Sequence, residues 1–329
     1  MKGYPFVSFV IPCYNSEILL PRLLKSIVDQ DYPREKMEII AADGGSSDST
    51  LEILKKYKVV IVHNKKQFPE GFGMGKAQGI EKAKGEFVVV VDSDNELQGK
   101  DWLKQSLDPL LQCPDAFGAA CIMQVRPTDT LINRYLSFIG TDPFAVYRSF
   151  EAKYAFGFLK RAQDFGNYYL YTIGDKEFLC TGGNCFIYRK KCLDLIGGYS
   201  YDVENVLSLV CKGWKRFVIP KYARTHHLSV LSFGAFLRKR INWSLNYSKG
   251  SRPHRLYSWL PQRPFEYVFI PLFIFSNLIL VPQILVAFFM IIKKKDSAWI
   301  WHPLASFAIT VLYVLLGLRS LFFRTFTSL

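Results

Sequence analysis

Short apolar runs alternate with amphipathic segments along the N-terminal third of the chain. Four runs have the length and the β-branched content of strands that are buried on both faces of a sheet: Phe6–Ile11, Met37–Ala41, Val59–His63 and Val88–Val91. After the first run, Leu and Ile recur every three or four residues, which predicts a helix over Glu17–Gln30. We expect Pro12 to stop the first strand, and either Asn15 or Ser16 can cap the helix.

Segments rich in glycine and hydroxyl groups separate the other predicted elements. The stretch ADGGSSDST predicts a tight turn, after which Asp48 or Ser49 caps a helix over Leu51–Tyr57. A glycine-rich loop is predicted over Gly71–Gly79, followed by a helix that ends at Gly85. The β-α-β-α-β-α-β order predicts an α/β fold, in which a mostly parallel sheet carries helices on both faces.

The sequence Asp92-Ser93-Asp94 directly follows the valine-rich strand. Ligands of open α/β sheets bind beyond the carboxyl ends of the strands. Two carboxylates at positions i and i+2 can converge there on one hard cation, and oxygen ligands suit Mg²⁺ or Mn²⁺. The motif therefore predicts a site for a divalent metal and a diphosphate. The alternative is a polar loop that merely ends a strand, because D-x-D is a common sequence.

The charge of the chain indicates an anionic partner. Lys and Arg number 42 and Asp and Glu 28, so the net charge is +14. This balance is typical either of a solvated basic face or of a protein that meets a nucleotide or an anionic lipid. The sequence contains no zinc knuckle, RNA-recognition motif or helix-turn-helix signature, so no nucleic acid partner is expected.

The cysteines and the N-terminus predict the compartment. Seven cysteines are scattered without a C-x-x-C pair, which is typical of a reducing environment. The first apolar stretch, in MKGYPFVSFVIPCYN, is too short and too soon broken to be a signal peptide. We therefore expect the catalytic part to be cytoplasmic.

Five segments resemble glycosyltransferase family 2, the inverting enzymes of GT-A fold that use nucleotide sugars. They occur in the family's order over roughly the first 225 residues: VSFVIPCYN, ADGGSSDST, GKAQGIEKAKGEFVVVVDSDNEL, CTGGNCFIYRKKCLDLIGGY, and Asp202-Val203-Glu204 with Gly213-Trp214 downstream. The resemblance implies a UDP- or GDP-sugar as the donor and a divalent metal, Mg²⁺ or Mn²⁺, as the cofactor.

The resemblance also implies roles on the nucleotide side. Pro12, Tyr14 and Asn15 would line the nucleotide pocket, and Asp43 would contact the base or the ribose. Lys76 stands where the family usually has Arg and would face the diphosphate. Each has an ordinary alternative: Tyr14 as a packing residue, for example, or Lys76 as a surface lysine of a helix.

The resemblance assigns the metal ligands and the catalytic base to the later motifs. By the resemblance, Asp92 and Ser93 would lie beside the nucleotide sugar, and Asp92 and Asp94 would bind the metal. His226, one of two adjacent histidines, would complete the metal shell unless it is structural. Asp202 would be the catalytic base.

Two departures from the family pattern qualify these assignments. Gly44 replaces the second Asp of the family's D-D-G-S, so recognition of the nucleotide base differs. Tyr201 replaces the Glu that usually precedes the catalytic base. In an alternative register Glu204 is the base, but the spacing to Gly213 favours Asp202, and Glu204 then supports it.

The C-terminal third changes character. Residues 229–264 mix apolar side chains with Arg238, Lys239, Arg240 and further basic residues, which predicts an interfacial amphipathic segment. Tyr267–Ile292 and Ala298–Leu318 are apolar, and each exceeds the ~20 residues that cross a bilayer. The prediction is a catalytic domain over residues 1–228, this interfacial segment, and a transmembrane hairpin over residues 265–329.

Together these features predict a multi-pass membrane glycosyltransferase. The acceptor is expected to be a membrane lipid or a polyprenyl-phosphate-linked molecule, because a soluble acceptor needs no membrane anchor. Both chain ends would be cytoplasmic, with the basic loop Lys293–Lys295 outside. The alternatives are a non-catalytic membrane protein that binds nucleotide sugars and a GT-A-like nucleotidyltransferase.

Overall fold

The structure, a computed structural model, describes residues 3–64, 74–140, 143, 161–174, 181–200, 202–249 and 264–326. The predicted loop residues 71–73, the departure at Tyr201 and the basic residues within 250–263 lie outside these ranges. The chain divides into a first unit, Met1–Gln124 with Phe156–His227, and a second unit, Val125–Ala155 with Leu228–Leu329.

All described strands lie in the first unit, and the helices belong to both units. The strands are β1 (Val7–Cys13), β2 (Met37–Asp43), β3 (Val60–His63), β4 (Phe87–Val90), β5 (Asn95–Leu97), β6 (Ala116–Ala120), β7 (Ile122–Gln124), β8 (Gln163–Asp164), β9 (Tyr168–Thr172), β10 (Phe186–Arg189), β11 (Arg216–Pro220) and β12 (Arg224–His227). The helices are α1 (Leu20–Val28), α2 (Thr50–Lys56), α3 (Met74–Lys82), α4 (Trp102–Gln112), α5 (Leu131–Ile139), α6 (Lys190–Leu195), α7 (Asp202–Cys211), α8 (Phe233–Lys249), α9 (Pro264–Ile279), α10 (Val281–Lys294) and α11 (His302–Phe326).

Within the described residues, nine strands form the main sheet in the order β3-β2-β1-β4-β10-β6-β11-β9-β8. The first four strands of that order are parallel, as the alternation of apolar runs and helices predicts. Strand β10 is antiparallel to both β4 and β6, and β9 is antiparallel to β8 and β11. The sheet is therefore mixed, and the prediction of a mostly parallel sheet is wrong. A turn of three residues joins β8 to β9, which permits only antiparallel pairing.

Strand β1 runs through Pro12, where the sequence predicted its end. Its pairing with β4 stops at Val10, whereas its pairing with β2 continues to Cys13 and Asp43. Proline cannot donate to a strand ladder, so it is tolerated where one neighbouring strand has already ended. The extension carries Cys13 to the same edge of the sheet as Asp43.

Helix α3 replaces part of the predicted glycine-rich loop, since it begins at Met74 and contains Gly75 and Gly79. A Cβ atom at Gly79 would lie 2.5 Å from Cγ1 of Val10. This glycine therefore permits close packing of the helix on the sheet, and it does not mark a loop. The same helix carries Lys76 at its first turn.

Side chains of the central strands alternate between two apolar cores, one on each face of the sheet. Phe9 and Val89 face the core formed with α1 and α4, whereas Val10 and Val90 face the core formed with α3, α6 and α7. Burial on both faces explains why these strands are continuous apolar runs in the sequence.

In the second unit, α5 shares an apolar core with α8, α10, α11 and the 3₁₀ turn Ser297–Trp301. Thr130 caps α5 by accepting a hydrogen bond from the backbone of Asn133. The apolar stripe of α5, which includes Tyr135 and Leu136, is buried in this core. Residues 125–155 accordingly group with the C-terminal residues, although the predicted domain 1–228 includes them.

Helix α8 falls within the predicted interfacial segment, but its basic residues do not form one exposed face. Arg238 is exposed. Arg240 is buried, with its guanidinium 5.0 Å from the ring of Trp243 and 5.8 Å from that of Phe236. Of the two arginines, only Arg238 has the exposure that contact with a membrane surface requires.

The C-terminal apolar stretches differ from a simple hairpin. Among the described residues, the segment Ser297–Leu318 is the only one whose length and apolar content suit a membrane crossing by itself. Helices α9 and α10 meet the same criterion only as a pair, and their axes are bent by 86°. The predicted continuous span Tyr267–Ile292 is wrong as a single helix. Leu280 has φ 67°, and Pro282, which lacks an N–H for the preceding turn, lies at the start of α10.

Candidate active site

The carboxyl ends of three neighbouring strands bring predicted site residues to one edge of the sheet. Strands β2, β1 and β4 are parallel and paired in register. Asp43 is the last residue of β2, Tyr14 follows β1, and Asp92 lies two residues beyond β4. The loop after β4 then returns through β5, which pairs with β12. The edge is therefore assembled from segments that are far apart in the sequence.

Lys76 connects two of the predicted carboxylates. Its Nζ lies 3.1 Å from Oδ1 of Asp92 and 3.4 Å from both carboxylate oxygens of Asp202. Burial opposes the charged form of this lysine, but the coulombic effect of Asp202 and Asp92 outweighs it and raises the pKa of Lys76. Lys76 is thus a buried, protonated cation, and it is not the surface lysine that was the alternative.

The carboxylates at and next to the Lys76 contact outnumber the single lysine. Burial raises the pKa of the Asp92 carboxyl, Lys76 opposes the rise, and the nearby charges of Asp94 and Asp202 add to it. Two carboxylates, those of Asp92 and Asp202, contact one lysine, and the charge of a third, Asp94, acts on Asp92. An additional cation would relieve their repulsion, and carboxylate oxygens are the ligands that Mg²⁺ and Mn²⁺ prefer. The donor set fits a divalent metal, although the described residues hold no group of three His, Cys, Asp or Glu side chains in metal-binding geometry.

The histidine beside the metal motif is His227, whereas the sequence pointed to His226. Nε2 of His227 lies 3.4 Å from Oδ2 of Asp94. His226 is buried, accepts at Nδ1 from Nη2 of Arg22 at 2.8 Å, and lies 3.6 Å from Glu96. Successive residues of a strand point to opposite faces, so only one of the two histidines can face Asp94. The structure does not bring His226 to Asp94; the histidine that lies beside Asp94 is His227.

Asp202 begins α7, and residues that the sequence analysis missed fix its position. The hydroxyl of Tyr199 donates a short hydrogen bond to Oδ1 of Asp202. A Cβ atom at Gly183 would lie only 2.2 Å from Oδ2 of Asp202, so a side chain there would displace the carboxylate. Tyr188 donates to the carbonyl of Gly182 at 2.6 Å. The Gly-Gly pair of CTGGNC was the available sequence signal.

The other predicted carboxylate of α7 has a different environment. Glu204 is buried and lies two residues after Asp202, so the helix directs the two side chains to different faces. Asp202 contacts Lys76 at 3.4 Å. This arrangement supports the register that the spacing to Gly213 favoured.

Asn184 joins the two halves of the site and was also missed. Its Oδ1 accepts from the backbone N–H of Asp92 at 2.9 Å and from Nδ2 of Asn95 at 2.8 Å. Asn95 also donates to the carbonyl of Asp92 at 2.8 Å. These bonds hold the loop after β4 against the segment that carries Gly183.

The predicted nucleotide-side residues lie around the turn after β2. Asp43 is buried, and its carboxylate accepts from the backbone of Gly45 at 3.0 Å and from the hydroxyl of Ser46 at 2.6 Å. Asn15, in the left-handed conformation, accepts at Oδ1 from the backbone of Ser47 at 2.9 Å. Asp43 therefore shapes this turn, whatever ligand it also contacts.

The remaining nucleotide-side residues lie next to this turn. Tyr14 is half exposed. The hydroxyl of Ser93 lies 3.0 Å from that of Ser16. Pro12 lies beside Gly75, whose added Cβ would be 3.7 Å from the proline ring. The strand ends, the turn and the start of α3 thus line one edge.

The family follows from a comparison with known proteins. The model of glycosyl transferase family 2 matches residues 8–195, more than half of the chain. The chain belongs to glycosyltransferase family 2. This confirms the resemblance that the five sequence segments carry, and the match covers most of the first unit together with Val125–Ala155 of the second.

Similar proteins include several glycosyltransferases. A poly(ribitol-phosphate) beta-glucosyltransferase of Bacillus spizizenii is 41% identical over 102 residues, 30% of this chain and 16% of that protein. A GalNAc(5)-diNAcBac-PP-undecaprenol beta-1,3-glucosyltransferase of Campylobacter jejuni is 35% identical over 115 residues, 33% of this chain and 34% of that protein. The chain spans less than a fifth of the length of the poly(ribitol-phosphate) relatives that it matches.

One relative matches over nearly its whole length. It is a dolichyl N-acetyl-alpha-D-glucosaminyl phosphate 3-beta-D-2,3-diacetamido-2,3-dideoxy-beta-D-glucuronosyltransferase of Methanococcus voltae, 23% identical over 321 residues and 92% of each chain. Among solved structures, the mannosyltransferase PcManGT of Pyrobaculum calidifontis, in complex with GDP-Man and Mn²⁺, matches 99% of this chain and 84% of that chain with a TM-score of 0.50 at 17% identity. This structural likeness confirms the GT-A fold.

Proposed function

We propose that this protein transfers a sugar from a UDP- or GDP-sugar to a hydroxyl of a lipid-linked saccharide, in a metal-dependent reaction that inverts the anomeric carbon. The contact of Lys76 with both Asp92 and Asp202 carries the proposal. Because Lys76 contacts both, the predicted base Asp202 lies close to Asp92, where we predict the diphosphate and metal site.

On the leaving-group side, the chain supplies both ligands and charge. Asp92 and Asp94 would hold a divalent cation, with His227 beside Asp94 as the nitrogen ligand. When bound, the cation neutralises the diphosphate as it leaves. Lys76, which is protonated and buried, adds a fixed positive charge to the same face. An oriented charge in a water-poor site is worth more than the same charge in water.

On the acceptor side, Asp202 would be the general base. The attacking hydroxyl oxygen forms a bond to the anomeric carbon, its proton passes to Oδ2 of Asp202, and the bond from that carbon to the diphosphate oxygen breaks. Tyr199 donates to Oδ1, whereas Oδ2 has the longer contact of 3.4 Å with Nζ of Lys76 and would take the proton. A positioned base of this kind contributes on the order of 10²–10⁴-fold to the rate. A single displacement of this kind inverts the anomeric carbon.

The nucleotide would lie along the edge lined by Asp43, Tyr14, Asn15, Pro12 and Ser93. The exposed ring of Tyr14 suits stacking on a base. Gly44 removes the carboxylate that the family usually has beside Asp43, so the base is held with one acidic group fewer. We leave UDP and GDP as the two donors to be compared.

The nature of the acceptor is supported by two relatives and by the chemistry of the base. The Campylobacter jejuni relative is a glucosyltransferase of an undecaprenol-linked glycan, and the Methanococcus voltae relative is a transferase of a dolichyl phosphate-linked sugar. A phosphate oxygen needs no base to attack, whereas a sugar hydroxyl does. Asp202 therefore favours the hydroxyl of a polyprenyl-phosphate-linked saccharide as the nucleophile.

The proposal is tested by following labelled sugar. The full chain in membrane vesicles that contain polyprenyl-linked saccharides is incubated with labelled UDP- or GDP-sugars and Mn²⁺, and organic-extractable lipid is counted, with Asp202→Asn as the matched control. We expect label in the lipid fraction with the wild type only. Label confined to a water-soluble product would refute the lipid acceptor, and the absence of turnover with any donor would refute the transferase.

A further inference from the structure

We propose that α9 and α10 enter one leaflet of a membrane and return to the face at which they entered. The loop Lys293–Lys295 then lies on the same side of the membrane as the first unit. The acyl chains of that single leaflet cover the exposed apolar surface of the two helices. This inference concerns the second unit and does not depend on the proposed reaction.

The two helices expose apolar side chains that water does not favour. Leu272 and Phe275 of α9 are more than half exposed, as are Leu285, Phe288 and Ile292 of α10. An exposed apolar surface of this size marks contact with a protein or a membrane. After Glu266, in the first turn of α9, no charged residue interrupts the two helices until Lys293, so an acyl-chain layer bounded by a polar head-group layer matches the pattern.

The lengths of α9 and α10 and the bend between them fit a single leaflet of a membrane. Helices α9 and α10 contain 16 and 14 residues, so they are about 24 Å and 21 Å long at 1.5 Å per residue. Neither reaches across the ~30 Å hydrocarbon core. With their axes bent by 86°, both outer ends meet one face when each helix is inclined by roughly 45°, which gives a depth of about 15–17 Å. This depth equals half of the core.

A short connection fixes the side on which the loop lies. Residues 125–130 join α5 to Gln124 of the first unit. Six extended residues reach only about 20 Å, and the segment carries the charged residues Arg126 and Asp129, which are costly to place in hydrocarbon. Helix α5 therefore starts on the side of the first unit. Arg134 of α5 forms an ion pair with Asp296, 2.6 Å from Nη2 to Oδ2, so the residue directly after Lys293–Lys295 lies on that side too.

A second connection gives the same result. Residues 228–232 join His227 of the first unit to α8, which begins at Phe233. The ring of Phe233 stacks on that of Trp301, with centroids 5.1 Å apart. Trp301 ends the 3₁₀ turn that follows the lysine loop. Two independent segments of the chain thus hold this turn on the side of the first unit.

Hydrogen bonds hold the bend in place. Ser276 of α9 accepts from Nε2 of Gln283 in α10 at 2.9 Å, and Oε1 of Gln283 accepts from Nε2 of His302 at 2.9 Å. Nδ1 of His302 then accepts from the hydroxyl of Tyr135 at 2.8 Å. We call Tyr135, His302, Gln283 and Ser276 the neutral network. It ties both arms of the bend to α11 and α5, so the bend is built into the packing.

The distribution of basic residues agrees with this arrangement. Basic residues near membrane segments favour the cytoplasmic side. The predicted hairpin placed the three lysines of the loop on the opposite side from the first unit. Same-side placement, with α11 as the crossing helix, leaves two basic flanking residues on the far side against seven near the first unit. The two are Arg319 and Arg324; the seven are Lys249, Arg252, Arg255, Arg263, Lys293, Lys294 and Lys295.

The test compares the side of the loop with the side of the first unit. Ser297 is exposed directly after the loop, and Ser297→Cys adds a thiol of nearly the same size. Cys211 is exposed in the first unit and serves as the internal reference. The full chain in sealed vesicles is treated with a membrane-impermeant maleimide from one side, and the labelled peptides are identified by mass spectrometry. Tyr267→Cys, at the start of α9, controls for reactivity near the head groups.

We expect the Ser297→Cys thiol, the Tyr267→Cys thiol and Cys211 to be labelled from the same side, each at least tenfold more than from the opposite side. Labelling of the Ser297→Cys thiol from the side opposite Cys211 would overturn the inference in favour of a spanning hairpin. Release of the chain from the vesicles by alkaline carbonate would overturn it as well, because a surface-bound protein does not enter the leaflet.

Discussion

Both units bury polar side chains, and one buried group in each unit shows how two such groups can differ in charge. In the first unit, Lys76 contacts Asp92 and Asp202, and the charge of Asp94 acts on Asp92; we call these four residues the charged cluster. In the second unit, the neutral network matches donors and acceptors one to one. Tyr135 and His302 are fully buried, whereas the Asp92 and Asp202 side chains are about one-third exposed.

The difference separates a site from a structural contact. A neutral network with matched hydrogen bonds is complete without a ligand, and its function is to fix packing. Carboxylates that repel one another beside a single lysine are costly unless a cation or a substrate joins them. Perturbed groups of this kind cluster where chemistry occurs. Substitutions in the charged cluster should therefore change turnover, and substitutions in the neutral network should change stability.

The largest expected effect lies at the metal motif. Asp94→Asn keeps the shape of the side chain but removes a ligand charge, and we expect transfer to fall by about 10²-fold or more, since it removes an electrostatic stabiliser of the leaving group. Transfer is measured over a Mn²⁺ titration. Asp29→Asn, an exposed carboxylate of α1 paired only with Lys25 at its surface, is the control and should leave transfer unchanged. Near-normal transfer by Asp94→Asn with a normal metal requirement would remove Asp94 from the site.

A glycine substitution tests whether the position of Asp202 matters. Gly183→Ala places a Cβ atom 2.2 Å from Oδ2 of Asp202, so the carboxylate must move. A displacement of about 1 Å in a reacting group costs on the order of 10²-fold in rate. Gly234→Ala is the matched control, because a Cβ atom there has no heavy atom of the described residues within 4 Å. Equal transfer by the two variants would mean that the carboxylate of Asp202 takes no part in the chemistry.

A smaller effect is expected at the hydroxyl of Tyr199. Tyr199→Phe removes the hydrogen bond to Asp202, and hydrogen bonds to charged groups are worth about 1.5–3 kcal/mol, or roughly tenfold in rate and more. The loss should appear in kcat, with the KM for the donor unchanged. Tyr188→Phe removes a hydroxyl that bonds to the carbonyl of Gly182 and to the side chain of Asn205, and it should lower kcat much less than Tyr199→Phe. Equal kcat losses for both variants would indicate a general packing defect.

Features that a short stretch of sequence marks could be predicted, whereas features that depend on contacts between distant residues could not. The strands from β1 to β4, the acidic motif at Asp92 and the segment that carries Asp202 were predictable, because each is marked by a local pattern or a family motif. The contact from Lys76 to Asp202 joins positions 126 residues apart, and no local pattern reports it. The choice between His226 and His227 depends on a strand register that only the pairing with β5 sets.

In the C-terminal part, the sequence predicted one continuous helix where the structure has two. Apolar content predicted one span over Tyr267–Ile292, because a hydropathy pattern counts residues and does not register a break in direction. The positive φ of Leu280 and the proline after it make that break. The contribution of α5 to the second unit was equally hidden, since its core partners begin only at Val230, about 90 residues later.

The smallest expected effect lies in the neutral network. Tyr135→Phe removes one neutral hydrogen bond to His302, which should lower the free energy of unfolding by about 1 kcal/mol. Transfer by the folded protein should be unchanged. The check is thermal unfolding in detergent beside a transfer assay on the same sample. A fall in transfer without a change in stability would mean that the network serves the reaction.

The central claim is that Asp202 is the base of a transferase site, and a paired measurement on Asp202→Asn tests it most directly. In one preparation, binding of UDP and GDP is measured by titration calorimetry with Mn²⁺, and transfer is measured with the matching labelled sugars. We predict nucleotide affinity close to that of the wild type and transfer lower by about 10²–10⁴-fold, because the base acts only in the transition state. Retained transfer by Asp202→Asn, together with its loss in Glu204→Gln, would contradict the assignment of the base to Asp202.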